Sequence, residues 1–396
     1  MLSWVAPIIV FGLVVFVHEL GHFIAAKLTG VYAPRFSIGF GPSLWKRRFG
    51  ETEYVLAALP LGGYVRMASR EDEATAFLEG GSENSATTPG TPKDGFDPDA
   101  MIPFGPKLIP ESRWFESKPL AARLFIMLAG VTMNALLAYV IYVGLILRSG
   151  IPTVIPIVAD VTAGKPAAQA GILAGDSITS LNGAPLKDWE VLLDSIGASP
   201  GVPLTLGVVR HGRPLTIHVT PAAEMTPDPR TGVRKRLGRI GMAATAAFKP
   251  VAVGSAFGEA WRLTLDNGGR IFSTLRTLIS SGAGVKDLGG PIAIAQISVQ
   301  AARGGIETLL ALIALISINV AVFNLLPIPI LDGGQIVVNV AETIKGSAFS
   351  TRTRERILKG GLLLIGLLFV TVMFNDISRN MGSILRLVGR IFGKSA

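Results

Sequence analysis

The run Phe16-Val-His-Glu-Leu-Gly-His-Phe23 sets two imidazoles and a carboxylate inside an apolar stretch, 4–26, that is long enough to cross a bilayer. A lone stretch of this kind satisfies its backbone in hydrocarbon as a helix. On a helix, His18 and His22 lie one turn apart on one face and can grip a single metal ion. The pattern H-E-x-x-H suits zinc, with Glu19 as general base toward a water. Titratable groups are costly at bilayer depth, so their presence there points to function. The chain has 4 histidines, and half of them fall in this run. The plain alternative is a chance pentapeptide on a soluble helix.

Composition decides against that alternative. The 396 residues are 49% hydrophobic and only 16% charged, with a mean hydropathy of +0.49; soluble domains carry about 25% charged residues. Four segments can span a bilayer, at 4–26, 122–147, 306–331 and 357–375. The first lacks a basic start and a small-residue cleavage site, which reads as a retained helix rather than a signal peptide. The net charge of +9 sits in loops flanking these spans, as anionic lipid and the positive-inside rule require. Nothing interleaves aromatic with basic residues as a nucleic-acid surface would. Lys27, Arg35, Lys46, Arg47, Arg48, Arg66 and Arg70 follow the first span, which predicts an external N-terminus and a cytosolic 27–121. Parity then puts 148–305 outside, 332–356 in the cytosol and the C-terminus outside. With no cysteine, a metal must be held by His and carboxylate.

Catalytic zinc usually takes three protein ligands. The third is expected to be Asp332, in Asn324-Leu-Leu-Pro-Ile-Pro-Ile-Leu-Asp-Gly-Gly334. His22 lies about 7 Å from the cytosolic end of its helix, and Asp332 falls at the cytosolic end of a span running in the same direction. Pro327 and Pro329 break that helix and free its backbone to bend toward the metal. An Asp capping the next helix is the competing role, compatible with ligation.

Several motifs occur in one order: H-E-x-x-H at 18–22, Phe36-Ser-Ile-Gly-Phe-Gly41, Leu59-Pro-Leu-Gly-Gly-Tyr-Val-Arg66, Gly130-x-x-x-Asn134 and N-x-x-P-x-P-x-L-D-G at 324–333. Together they resemble the site-2 proteases, intramembrane zinc metalloproteases, in their bacterial regulator of sigma-E protease branch. Phe374-Asn-Asp-Ile-Ser378 is similar to the family's closing segment. The resemblance implies one zinc per chain on His18, His22 and Asp332, with Glu19 as the base. It implies that 51–66 is a membrane-entering β-loop pairing with extended substrate, with Gly62, Gly63 and Tyr64 in contact, and that Asn324, with Asn319, holds substrate near the metal. Amides within apolar spans otherwise bond helix to helix, the role expected of Asn134, with Gly130 permitting close helix contact.

A second module stands between the second and third spans. Pro166-Ala-Ala-Gln-Ala-Gly-Ile-Leu-Ala-Gly-Asp-Ser-Ile-Thr-Ser-Leu-Asn-Gly183 looks like a PDZ domain, followed by strand-like runs at 204–210 and 214–219 joined by a turn at Arg210-His-Gly-Arg213. His211 and His218 fall in that turn and strand and are not expected to bind zinc. One copy is visible, because 223–247 is too short for another.

The expected fold is a mainly α membrane protein: a four-transmembrane-helix core, a membrane-associated β-loop and one extracytoplasmic α+β PDZ domain. Its divisions are 1–30 (first span), 31–70 (β-loop), 71–118 (flexible cytosolic linker), 119–148 (second span) and 150–222 (PDZ). Then come 223–304 (membrane-proximal helices and strands, broken at Gly268-Gly269 and Gly289-Gly-Pro291), 305–345 (third span and L-D-G), 346–376 (loop and fourth span) and 377–396 (an amphipathic basic tail, or else a disordered one). The expected activity is hydrolysis within single-span membrane substrates of the anti-sigma-factor type and leftover signal peptides, in the bacterial inner membrane, with peptide or chain ends screened at the PDZ domain. A PDZ-bearing scaffold or receptor with a non-catalytic metal site is the alternative. A proton-relaying transporter is disfavoured by the lack of internal repeats.

Overall fold

The computed structural model describes residues 5–69, 101–104, 107–186, 188–227, 234–281 and 289–391. The chain begins with α1 (Ala6–Leu28), β1 (Arg35–Phe49), β2 (Thr52–Arg66), β3 (Met101–Phe104), β4 (Lys107–Pro110) and α2 (Leu120–Ser149). It continues through β5 (Ile151–Val161), α3 (Pro166–Gln169), β6 (Ser177–Leu181), β7 (Ala184–Pro185), α4 (Trp189–Ala198), β8 (Leu204–Arg210), β9 (Arg213–Val219), β10 (Ala222–Pro227), β11 (Arg234–Arg239) and β12 (Met242–Lys249). It ends with α5 (Val253–Ser281), α6 (Pro291–Arg303), α7 (Ile306–Asn324), α8 (Asp332–Lys345) and α9 (Thr351–Ile391). These elements form two compact units, one of Met1–Tyr142, Trp261–Phe272 and Lys286–Ala396, the other of Val143–Ala260 and Ser273–Val285.

In the first unit, α1, α2, α7 and the Arg352–Arg379 part of α9 are each long and apolar enough to cross a membrane. Ala6, Val10, Val14, His18, Gly21, His22 and Ala25 recur every three or four residues and make the buried stripe of α1. Val10 and Val14 pack on Ile313 and Ile316 of α7, and farther along Ala25 and Ala26 meet Ile126 of α2. Strands β1 and β2 are bent. Arg35–Ile38 faces Glu53–Leu56 on one side and Gly63–Arg66 on the other, while Trp45–Phe49 pairs with Thr52–Leu56. Residues 63–66 therefore form one edge of the sheet. An aromatic cluster seats it on α1, with Phe36 5.2 Å from Phe23 and 6.0 Å from Phe16 between ring centres. Glu51 binds Lys27 at 2.6 Å and the two terminal guanidinium nitrogens of Arg113 at 2.8 Å. Arg113 first, and then Lys27, hold its carboxyl down at about 2.

Four expectations change in this unit. The third span, read as 306–331, ends as a helix at Asn324, because Pro327 has no N–H to donate and disfavours a helical residue before it. The linker expected over 71–118 does not extend that far. Residues 70–100 lie outside the described residues, but β3 and β4 form a hairpin, and Phe104, Ile109 and Trp114 are buried with Tyr32 and Ala68. Gly268-Gly269 does not break α5. A side chain at Gly268 would come to 3.9 Å from Ile318 of α7, so the glycine sits at a helix contact whose packing offsets its propensity cost of about 1 kcal/mol. The tail from 377 is no separate helix, since α9 runs unbroken to Ile391.

In the second unit the sheet order is β12-β5-β6-β8-β9, with β7 on β6. Val158, Ile172, Ile178, Trp189, Leu192, Leu206, Val208 and Val219 build its core beneath α4. The expected strands at 204–210 and 214–219 are β8 and β9, and His211 and Gly212 turn between them at φ 47° and 77°, the two positive angles of a type I′ hairpin. The stretch 223–247 supplies the β10–β11 hairpin and β12, which completes the same sheet at its edge.

Asp176 is a buried charge of this unit, with a side chain 1% exposed. It accepts two hydrogen bonds from Arg210, at 2.7 and 2.8 Å, and one from the Leu173 N–H at 2.9 Å. Arg210 holds its pKa below the ordinary carboxylate value. That stabilisation is complete above the unfolded value of about 3.9 and fades as pH falls through the lower folded value. Arg210→Met is expected to strip the partner from Asp176 and speed amide hydrogen exchange across 151–249 at neutral pH, with a smaller difference from the native chain below that window.

Candidate metal centre

Three elements deliver the site. Helix α1 presents His18 and His22 from its buried stripe, 7% and 8% exposed. Helix α2 crosses α1 where both lack side chains. A Cβ on Gly21 would strike the Ala129 carbonyl, and one on Gly130 would come to 2.5 Å from His22 Nε2 and 2.8 Å from His18 Cε1. The third element is the turn between α7 and α8. Leu331 N–H donates to the Ile328 carbonyl at 2.8 Å, and the Gln335 side chain donates to the Pro329 carbonyl at 3.0 Å. Gly333 and Gly334 lie so close to the Leu325 and Ile328 carbonyls that any side chain would collide. This brings Asp332, the first residue of α8, back to α1. Arg123 of α2 donates to Asn339 Oδ1 at 2.7 Å and ties down α8.

The three candidate ligands converge. His18 Nε2 and His22 Nε2 are 3.1 Å apart, and Asp332 Oδ2 lies 3.2 Å from the first and 3.5 Å from the second. A tetrahedral ion bound at 2.0–2.1 Å needs ligand atoms about 3.3 Å apart. Asp332 Oδ2 is buried and receives no hydrogen bond among the described residues. His22 Nδ1 lies 2.8 Å from the Ile126 carbonyl, an acceptor, so Nδ1 carries the proton and Nε2 presents its lone pair to the centre. A carboxylate oxygen without a donor, facing the bare Nε2 of His22 and the Nε2 of His18 at tetrahedral spacing, fits zinc.

Glu19 stands on the next face of α1, within electrostatic reach of His18, His22 and Asp332, and takes a hydrogen bond from the Val65 backbone N–H. The sheet edge touches it: a Cβ on Gly63 would meet Glu19 Cγ at 3.2 Å. The other expected residues divide. Asn324 Nδ2 is 3.3 Å from His18 Nε2. Asn134, fully buried, has Nδ2 3.3 Å from His18 Nδ1. Tyr64 accepts from Arg35 at 3.4 Å and stacks on Phe40, whose ring also closes over Gly62. Asn319, more than a turn before Asn324, makes no hydrogen bond to the triad among the described residues. Pro327 and Pro329 lie in the turn between α7 and α8, where the Pro329 carbonyl accepts from Gln335. Asp376 of α9, noted in the sequence only as part of the closing segment at 374–378, has a structural role. Buried, it accepts from the Ile292 and Ala293 N–H groups at 2.8 and 3.1 Å and caps α6. Its charge within an apolar run was the available sign.

Known proteins are similar to this chain along nearly its whole length. The family model described as Peptidase family M50 matches residues 6–368. "Regulator of sigma-W protease RasP" of Bacillus subtilis is 31% identical over 425 aligned residues, covering 95% of this chain and 98% of that protein. "Putative zinc metalloprotease CPE1693" of Clostridium perfringens is 31% identical, over 93% of this chain and 97% of its own. "Putative zinc metalloprotease Atu1380" of Agrobacterium fabrum is also 31% identical, over 96% and 97%.

Proposed function

The chain belongs to peptidase family M50, the site-2 proteases, and as a zinc metalloendopeptidase of that family we propose that it cuts peptide bonds inside the membrane-spanning segments of single-span proteins. One observation carries this reading: a zinc-fitting triad, 3.1–3.5 Å between ligand atoms, with both histidines on a helix apolar enough to cross a bilayer and Asp332 at the end of the turn that follows another. Anti-sigma factors are the substrate class we favour, since one relative is named for regulating sigma-W.

His18, His22 and Asp332 would hold the metal. Zinc, when bound, supplies a Lewis acid that polarises the scissile carbonyl and lets water attack near neutral pH. Glu19 takes the proton of that water and returns it to the leaving amine. A peptide bond within a membrane helix is hidden in its own hydrogen bonds, so substrate must unwind and find new partners. The edge at 63–66, against Glu19, offers them as an added strand would. The Asn324 amide, beside His18, suits a second hold on the substrate backbone.

The basic loops support an active site near the cytosolic face of the bacterial inner membrane, with both termini and the second unit outside. That unit we read as a PDZ domain screening substrates or leftover signal peptides by their chain ends, with β12 as an edge strand open to strand addition.

The test is cleavage of single-span peptides by full-length protein in lipid vesicles. Cuts are expected within the span, abolished by a chelator and restored by zinc. Chelator-resistant cleavage, or cuts confined to residues outside the span, would overturn the reading.

A further inference from the structure

We infer that Asn134 is a positioning residue for His18: its side-chain carbonyl accepts the Nδ1 proton of the imidazole and so keeps Nε2 bare for the metal. Two amides face this ring from opposite ends. Asn324 Nδ2 lies 3.3 Å from Nε2, and Asn134 Nδ2 lies 3.3 Å from Nδ1. A neutral imidazole has one bare nitrogen and one N–H, so it cannot accept from both. If Asn134 donated to Nδ1, the proton would sit on Nε2, aimed at His22 Nε2 and Asp332 Oδ2, and ligation through Nε2 would be lost. Turning the Asn134 carboxamide by 180° exchanges two atoms of nearly equal size. The oxygen as placed is buried without a hydrogen-bond donor; turned, it receives the Nδ1 proton.

The mount is rigid. Asn134 is fully buried on α2, and Ser317 of α7, also fully buried, donates to its backbone carbonyl at 2.8 Å. His22 already has the same arrangement, with the Ile126 carbonyl as its acceptor. Both imidazoles are then oriented from α2, one by a backbone oxygen and one by a side chain. This goes beyond the helix-to-helix bond expected of Asn134 and rests on the zinc reading above.

The test uses full-length protein in detergent micelles. Zinc affinity is measured by competition with a chromogenic chelator. Asn134→Leu, close in volume but without an acceptor, is expected to bind zinc about 10–100-fold more weakly, whereas Asn134→Asp, which keeps an acceptor, stays within a few fold of the native chain. Long-range proton–nitrogen spectra of the zinc-loaded native protein, whose histidines number 4, should show His18 protonated at Nδ1 and metal-bound at Nε2. An unprotonated Nδ1 there overturns the proposal without any variant having to fold. So does undiminished zinc affinity in Asn134→Leu, which leaves the zinc reading standing. A native chain that binds no zinc removes both.

Discussion

Glu19→Gln keeps the zinc and loses the rate. The amide has the shape of the carboxylate and can still accept the Val65 N–H, so the metal content of purified protein should equal that of the native chain. What it cannot do is take a proton from water. General-base contributions are about 10²–10⁴-fold, equivalent to roughly 2.7–5.5 kcal/mol of barrier. Single-turnover cleavage of a span peptide in vesicles, read beside metal analysis, separates the two effects. Equal rates would remove Glu19 from the chemistry, and lost zinc would make it structural.

Gly130→Ala is expected to damage the centre without touching a ligand. Its new methyl would lie 2.5 Å from His22 Nε2 and 2.8 Å from His18 Cε1, inside van der Waals contact. The methyl cannot escape, because the helix backbone carries it, so the rings or the helices must shift. Overpacking of this kind costs about 1–3 kcal/mol, and it falls here on atoms that must stay near tetrahedral spacing. Zinc affinity should fall at least as far as for a lost supporting hydrogen bond, about 10–100-fold, with activity falling alongside. Gly144→Ala on the same helix, where an added Cβ meets nothing within 4 Å, is the control and should behave as the native chain. Equal zinc binding by the two variants would contradict the closeness of α1 and α2.

Much of this was legible in the sequence because local chemistry forces it. His18 and His22 share a face by helical periodicity alone, and Pro327 with Pro329 announces a break before Asp332. The turn at His211-Gly212 follows from the backbone angles that hairpins need. What was not legible depends on partners distant in sequence. The glycine pair at 268–269 looks like a breaker until α7 is beside it. Phe104, Ile109 and Trp114 look like punctuation in a polar stretch until Tyr32 and Ala68 give them a place to be buried. The double pairing of Arg35–Ile38 could not be read from alternation, since bends interrupt the period. The part Asp376 plays within its closing motif could not be read, because the N–H groups it serves lie 84 and 83 residues away.

The near-touching of Gly21 with Ala129, and of Gly130 with the imidazoles, walls off one flank of the centre with main chain. Adjacent strands need about 4.7 Å of separation, and no such gap exists there for a polypeptide to thread. On the function proposed above, a substrate would enter by the flanks where Gly63 and Asn324 stand, and every scissile bond would meet the attacking water from the same direction.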